Sequence, residues 1–301
     1  MKKIFFLSTL LLLFIANHAF AQSKEALRQK IKQIIATKKA TVGVSIVGAG
    51  GREEVSVNGN RHFPMQSVFK FHIALKMLSE IDKGNFSLDQ KIEIQKKDYF
   101  ETYSPIRDKY PEGVTLTISE ILEYMVSASD NVGCDVLLGL LGGPQTVEKY
   151  FVKNKFKDLS IKVTERQTHA ERDLQYQNWT TPKAANKVLK AFYDNKKERL
   201  SAKSYAFLWK LLRETSTGNN RLKGQLPENT VVAHKPGTSG VDPSTGIRAA
   251  VNDIGIVFLP NGKHFFISVF VTDSKENLET EEKIIADIAN SAWDYFSTKT
   301  K

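Results

Sequence analysis

Ile254-Gly255-Ile256-Val257-Phe258-Leu259-Pro260-Asn261-Gly262-Lys263-His264-Phe265-Phe266-Ile267-Ser268-Val269-Phe270-Val271-Thr272 reads as two strands and a turn. Ile254 to Leu259 and Phe265 to Thr272 are apolar runs rich in β-branched and aromatic residues, and Asn-Gly between them tolerates the backbone angles of a hairpin. Upstream, Val231-Val232-Ala233 is a further strand; downstream, Glu279 to Phe296 has the spacing of an amphipathic helix. The other end of the chain mirrors this order. Leu27, Ile31, Ile34 and Ile35 recur at helical spacing within Ser23 to Lys38, Thr41 to Val47 is β-rich, and Val55-Ser56-Val57 follows a turn at Gly48 to Gly51. Phe69 to Ile81 predicts a helix that stops at Gly84, and residues 85 to 210 are mostly helical in pattern, as in Ile118 to Ser127, Asn131 to Leu141, Pro182 to Tyr193 and Ser201 to Arg213. Thr181-Pro182 supplies a hydroxyl cap and a proline at the first helical position. The order predicts an α+β fold: an antiparallel sheet assembled from both chain ends, flanked by terminal helices, with an all-helical lobe inserted. Catalytic groups are then expected in the cleft between the lobes.

The chain has 301 residues. Met1-Lys2-Lys3, an apolar run from Ile4 to Ile15 and Ala19-Phe20-Ala21 have the layout of a secretory signal peptide, which predicts a leader over 1–21 and a mature chain from Gln22. No cysteine stands directly after the predicted cut, and no later apolar run reaches the ~20 residues of a membrane span, so a mature form without a membrane anchor is expected. The leader predicts a periplasmic protein. The net charge of +10 is scattered over short stretches such as Lys38-Lys39, Lys96-Lys97 and Lys196-Lys197. No Arg/Lys stripe is interleaved with aromatics, which argues against nucleic acid, whereas a diffuse positive field suits small anionic substrates. The single cysteine, Cys134, lies in an apolar helical context and reads as a buried, inert thiol. The six histidines show no H-x-H or H-E-x-x-H spacing, so neither a metal nor another cofactor is called for.

Three short patterns carry chemistry. In Ser67-Val68-Phe69-Lys70, a hydroxyl and an amine at i and i+3 share a helix face, so Lys70 reaches Ser67; no other Ser in the chain has Lys three places later. Free N–H groups at such a helix start stabilise a developing oxyanion. Ser129-Asp130-Asn131 lies between two helical runs, where a second hydroxyl is placed to pass a proton to a leaving nitrogen and Asn131 to donate to a substrate carbonyl. Lys235-Pro236-Gly237-Thr238-Ser239-Gly240 follows a strand; a cation, a glycine and two hydroxyls suit a carboxylate. Singly, each also reads as an ordinary cap, turn or strand end.

Together and in this order, the three resemble the S-x-x-K, S-D-N and K-T/S-G elements of the class A serine β-lactamases, over essentially the whole mature chain. Tyr103-Ser104-Pro105 resembles the family's tyrosine at the cleft wall. Thr180-Thr181-Pro182 looks like the helix start after the omega loop, and Glu165 falls where the deacylating glutamate lies. Asn219-Asn220-Arg221-Leu222-Lys223-Gly224 and Ala233-His234-Lys235 are most similar to the PER/VEB-like branch, which is associated with broad cephalosporin hydrolysis. The resemblance implies a five-stranded sheet and hydrolysis of penicillins and cephalosporins through an acyl-enzyme on Ser67. Either Lys70 or Glu165 acting through a water activates Ser67. Backbone amides of Ser67 and Thr238 form the oxyanion hole, Ser129 protonates the lactam nitrogen with Lys235 beside it, and Glu165 activates the deacylating water. Tyr103, Asn131, His169, Arg221, Gly237, Thr238 and Ser239 bind substrate, Arg221 through its carboxylate. The resemblance further implies an α/β lobe over about 22–66 and 214–301, a helical lobe over about 67–213, and a monomer.

Several residues depart from the family pattern. Pro236 removes a hydroxyl and a backbone donor. His169 stands where many relatives place an asparagine beside the hydrolytic water. Val163 and Asn178 replace an ion pair that usually pins the omega loop, which predicts an unusually arranged or looser loop, looseness admitting bulky oxyimino cephalosporins. Glu171 is a rival carboxylate to Glu165, which spacing favours. A penicillin-binding D,D-peptidase and a β-lactam binder that acylates without turnover are the alternative readings.

Overall fold

The computed structural model describes residues 23–298; the predicted leader lies outside them. In chain order the elements are α1 (Lys24–Ile35), β1 (Thr41–Gly48), β2 (Glu54–Val57), β3 (Phe63–Pro64), α2 (Phe69–Asp82), β4 (Lys91–Gln95), α3 (Pro105–Lys109), β5 (Gly113–Thr117), α4 (Ile118–Val126), α5 (Asn131–Leu140), α6 (Pro144–Lys153), β6 (Leu159–Ser160), α7 (Glu165–Ala170), β7 (Trp179–Thr180), α8 (Pro182–Asp194), α9 (Ala202–Arg213), β8 (Val232–Thr238), β9 (Val251–Phe258), β10 (His264–Thr272) and α10 (Leu278–Thr298).

The hairpin forms where Asn-Gly predicted it. β9 and β10 pair antiparallel with Phe258 opposite His264, Asn261 Oδ1 accepts from the Lys263 amide at 2.9 Å, and Gly262 takes φ +77°. Five strands follow in the order β2-β1-β10-β9-β8, all antiparallel. β9 and β10 are buried along nearly their whole length because both faces of the sheet are covered. On one face Val251, Val257, Phe265, Ile267 and Val269 join Leu27 and Ile31 of α1 and Ile284, Ile285 and Ile288 of α10 in one core. On the other, Ile254, Ile256, Phe266 and Phe270 join α2, α4, α5, α8 and α9 in a second core. Among the described residues no helix is long and apolar enough to cross a membrane.

The inserted segment is less uniformly helical than its pattern predicts. β4 pairs with β5, and β3, β7 and β6 form a second small sheet. β3, β6 and β7 have two residues each, too few for period-two alternation, whereas Ile92 and Ile94 of β4 and Val114 and Leu116 of β5 do alternate with polar neighbours. β8 also runs further than its apolar start, through Lys235, Pro236, Gly237 and Thr238. A proline is tolerated there because β8 is an edge strand. Cys134 is fully buried, and burial pushes its thiol well up, as expected of an inert packing residue.

Candidate active site

Ser67 lies in a single 3-10 turn, Gln66–Val68, that leads directly into α2. That turn is held from three sides. The Met65 amide donates to Asn178 O at 2.8 Å, Asn252 Nδ2 of β9 donates to Pro64 O and Met65 O at 2.8 and 3.1 Å, and Gln66 Nε2 donates to Gln175 Oε1 at 2.8 Å. Such fixation sustains the left-handed backbone of Gln66, φ +47°, just before the nucleophile. β8 presses on the same turn: a Cβ at Gly237 would lie 2.6 Å from Met65 O and 3.1 Å from the Ser67 amide nitrogen, so only glycine fits. This approach brings Thr238, the next residue, into the same cavity wall as Ser67.

Lys70 follows one turn into α2 and is fully buried. Its Nζ lies 3.0 Å from Ser67 Oγ, 2.8 Å from Ser129 O and 3.0 Å from Glu165 Oε1, and it also donates to Asn131 Oδ1. Nucleophile, amine and carboxylate therefore share one nitrogen. Ser129 has φ +62°, a second strained residue at the site. Its neighbour Asp130 caps α5 through the Gly133 amide at 2.7 Å and accepts from Ser104 Oγ and the Ile106 amide at 2.9 and 2.7 Å, fixing the segment that carries Tyr103. Lys235 approaches from β8, with Nζ 2.9 Å from Ser129 Oγ and 3.4 Å from Pro236 O. Burial, then the nearby Lys70 charge, holds its ammonium pKa well below the ordinary range.

Glu165 is delivered by α7. Thr164 and Gln167 form a reciprocal capping box at its start, and the Asp135 carboxylate on α5 accepts from the Glu165 and Arg166 amides at 2.8 and 2.9 Å. Burial raises the Asp135 pKa to about 6 against those two donors. Two adjoining hollows meet at the site. One of about 270 Å³ is lined by Ser67, Tyr103, Ser129, Arg221 and Gly237 among others; the second, about 320 Å³, is walled by Glu165, His169, Arg172 and Gly240. Asn131 and Thr238 border both. A larger hollow of about 590 Å³ near Phe296 gathers no hydroxyl or thiol.

The family described as "Beta-lactamase enzyme family" matches residues 26–296. The chain belongs to this β-lactamase family. It is 53% identical to beta-lactamase VEB-1 of Pseudomonas aeruginosa over 96% of both chains, and 41% identical to extended-spectrum beta-lactamase PER-1 of the same organism over 96% of this chain and 93% of that protein. The crystal structure of TLA-1 extended-spectrum beta-lactamase superposes with a TM-score of 0.88 at 48% identity, covering 91% of this chain and 99% of that one.

In this β-lactamase the five residues Ser67, Lys70, Ser129, Glu165 and Lys235 meet in one cleft, and the outer residues refine the sequence reading. Tyr103 is exposed on the wall of the first hollow. Arg221, expected on a substrate carboxylate, is buried and already engaged. It donates to Gly237 O and Asn252 O at 3.0 Å each and to Thr238 Oγ1 at 2.6 Å, and it pairs with Glu282 at 3.2 Å. Because Thr238 accepts from Arg221, its own hydroxyl hydrogen is left to donate outward. Ser239, also expected on substrate, turns its hydroxyl to the Ala250 amide at 2.9 Å. One amide hydrogen of Asn131 is spent on Thr102 Oγ1 at 2.7 Å. His169 is exposed, with its ring 6.2 Å from that of Phe100 rather than bonded to Glu165, though both line the second hollow.

Of the unusually arranged or looser omega loop expected, the structure shows the unusual arrangement at its neck. Asn178 Oδ1 accepts from the Lys162 and Val163 amides at 2.8 and 3.1 Å, and its Nδ2 donates to Val163 O at 2.9 Å. Neutral hydrogen bonds across the loop neck replace the ion pair. Asp135, Asn252, Gln66 and Gln175 were not singled out from sequence. Asp135 left a signal, a lone acid inside apolar Val132-Gly133-Cys134-Asp135-Val136; the others left none.

Proposed function

We propose that the chain hydrolyses penicillins and cephalosporins, including oxyimino cephalosporins, in two steps on Ser67. Lys70 takes the Ser67 proton as Oγ bonds to the lactam carbonyl carbon, and Glu165, 3.0 Å from Lys70 Nζ, relieves Lys70 of its own proton beforehand. The tetrahedral oxyanion is held by the amides of Ser67 and Thr238. The carbon–nitrogen bond breaks as Ser129 gives its proton to the nitrogen, with Lys235 steadying Ser129 and drawing the substrate carboxylate towards Thr238. The proton that Lys70 took from Ser67 restores the Ser129 hydroxyl, and Lys70 recovers its own from Glu165, which is again a carboxylate. Glu165 then takes a proton from water as its oxygen bonds to the ester carbon, and that proton returns through Lys70 to Ser67 as the ester bond breaks and the ring-opened acid is released. The observation that carries this reading is the single Lys70 nitrogen shared by Ser67 and Glu165. Carboxylate and nucleophile in one network support turnover over a D,D-peptidase or an acylate-and-stop binder.

The second hollow, open between α7 and Gly240, supports room for an oxyimino side chain, as do the printed names of PER-1 and TLA-1. The leader over 1–21, a periplasmic mature form, a monomer, and the lobes 22–66 with 214–301 and 67–213 belong to the same proposal. The seating of the site between β8 on one side and α2, α5 and α7 on the other supports that division. Steady-state hydrolysis of a chromogenic cephalosporin, a penicillin, an oxyimino cephalosporin and a carbapenem tests it. Many turnovers on the first three are expected; one burst followed by silence establishes the binder instead.

A further inference from the structure

α7 carries Glu165 yet has no buried residue of its own, and none of residues 164–177 joins either core. An element that buries little apolar surface keeps its place through specific bonds. At the start of α7 the Asp135 carboxylate accepts from the Glu165 and Arg166 amides at 2.8 and 2.9 Å, which fixes the first backbone turn. The capping box of Thr164 and Gln167 lies within α7 and ties it to no other element. A second hold on the helical lobe comes from the Arg166 side chain. Its Nη2 donates to Asp98 O at 2.7 Å, and its guanidinium carbon lies 4.7 Å from the centre of the Phe100 ring.

The shelf that receives Arg166 is itself fixed. Gln95 and Asp98 form a reciprocal capping box about the turn Lys96–Asp98, Tyr99 Oη donates to Tyr110 O at 2.6 Å, and Arg107 Nη1 donates to Phe100 O at 2.8 Å. Two residues beyond Phe100, Thr102 Oγ1 accepts from Asn131 at 2.7 Å, so the shelf continues into the cleft. Glu165 and Arg166 are successive helical residues, and their side chains leave the axis about 100° apart. One therefore meets Lys70 while the other grips the shelf. Lys70 fixes one oxygen of Glu165, Oε1, at 3.0 Å. The direction in which the other oxygen faces is set by the backbone that carries it. Proton exchange with Lys70 needs only the ion pair, whose attraction closes a small gap; proton abstraction from water needs the carboxylate aimed at one point beside the ester carbon.

We propose that Arg166 is a positioning residue for the hydrolytic step: clamped on Asp98 O and the Phe100 ring, it holds α7 against the helical lobe so that Glu165 stays aimed at the water that attacks the acyl-enzyme. The inference rests on the role given above to Glu165. Its test is Arg166→Ala, a change at an exposed side chain that leaves both cores untouched. Acyl-enzyme formed with a chromogenic cephalosporin is followed by rapid quench and mass spectrometry to obtain the deacylation rate constant, and steady-state kcat/KM is measured beside it. The deacylation constant is expected to fall about tenfold while kcat/KM falls no more than about twofold, and KM drops with kcat as deacylation becomes limiting. A deacylation constant within about twofold of the parent's overturns the proposal. So does a fall in kcat/KM as large as the fall in deacylation, which gives Arg166 a merely structural role. The parent protein separates the two layers. If it forms no acyl-enzyme on Ser67, or forms one and does not turn over, the reading of Glu165 fails as well; if it turns over and Arg166→Ala deacylates at its rate, only the inference about Arg166 falls.

Discussion

Lys70 and Lys235 are buried in the same cleft, at 0% and 1% exposure, yet they are treated differently by their surroundings. Lys70 has a carboxylate, a backbone carbonyl, an amide oxygen and the nucleophile around one nitrogen. Lys235 has one hydroxyl at 2.9 Å and a carbonyl at 3.4 Å. The first charge is matched where it sits; the second is exposed to the repulsion of the first. The same residue type therefore serves two ends. A compensated lysine is placed to exchange protons with its partners, and an under-compensated one to attract an anionic group.

The largest test strikes the compensated side. Glu165→Gln keeps the shape beside Lys70 but removes the base for water. Turnover is expected to fall about 10³-fold while acylation persists, so mass spectrometry should find substrate bound through Ser67. Unchanged turnover transfers the role to another carboxylate, with Glu171 the first to examine.

His72, two residues beyond Lys70 on α2, sharpens the comparison with a buried base that stays neutral. Burial pushes its pKa down to about 4 from the ordinary 6.5, and its ring packs on Phe151 at 4.9 Å. A depressed folded-state pKa gives stability that is complete above pH 6.5 and lost as pH falls towards 4, about 3 kcal/mol in all. Asp135, raised to about 6, works in the opposite direction over part of this window. The measurement is therefore the difference between parent and His72→Leu in denaturant unfolding at pH 7 and pH 4; an equal acid sensitivity in both removes His72 as its source.

The smallest effects are the most diagnostic because their signs differ. Lys70→Met strands the Glu165 carboxylate and should cost about 2 kcal/mol, with Glu165 partly solvated. Lys235→Met removes a poorly matched charge and should gain about 1 kcal/mol at pH 7 while activity is lost. Thermal unfolding shifts of the same sign would erase the distinction drawn here.

Much of this was readable beforehand. The Asn-Gly hairpin and the mirrored strand and helix order disclosed the sheet, because period and turn chemistry are local. Ser67, Lys70, Ser129 and Lys235 were legible from three short patterns. What escaped depends on distant pairs: Asn252 reaching back to Pro64 and Met65 spans 188 and 187 residues, and no local rule anticipates it. Arg221 was noticed, but its partners were not, because they come from three separate elements, β8, β9 and α10. That the omega loop would be arranged unusually was legible from Val163 and Asn178, but the form of its clasp was not, because an amide side chain offers both a donor and an acceptor and its partners depend on the folded neck.

That amide has an environmental consequence. Attraction between two ions weakens as salt rises and vanishes when the acid takes up hydrogen. Asn178 has neither liability, so its own bonds across the loop neck are indifferent to brine and to moderate acidity. Outside the buffered interior of a cell, that one clasp would stay shut through swings that loosen a charged latch.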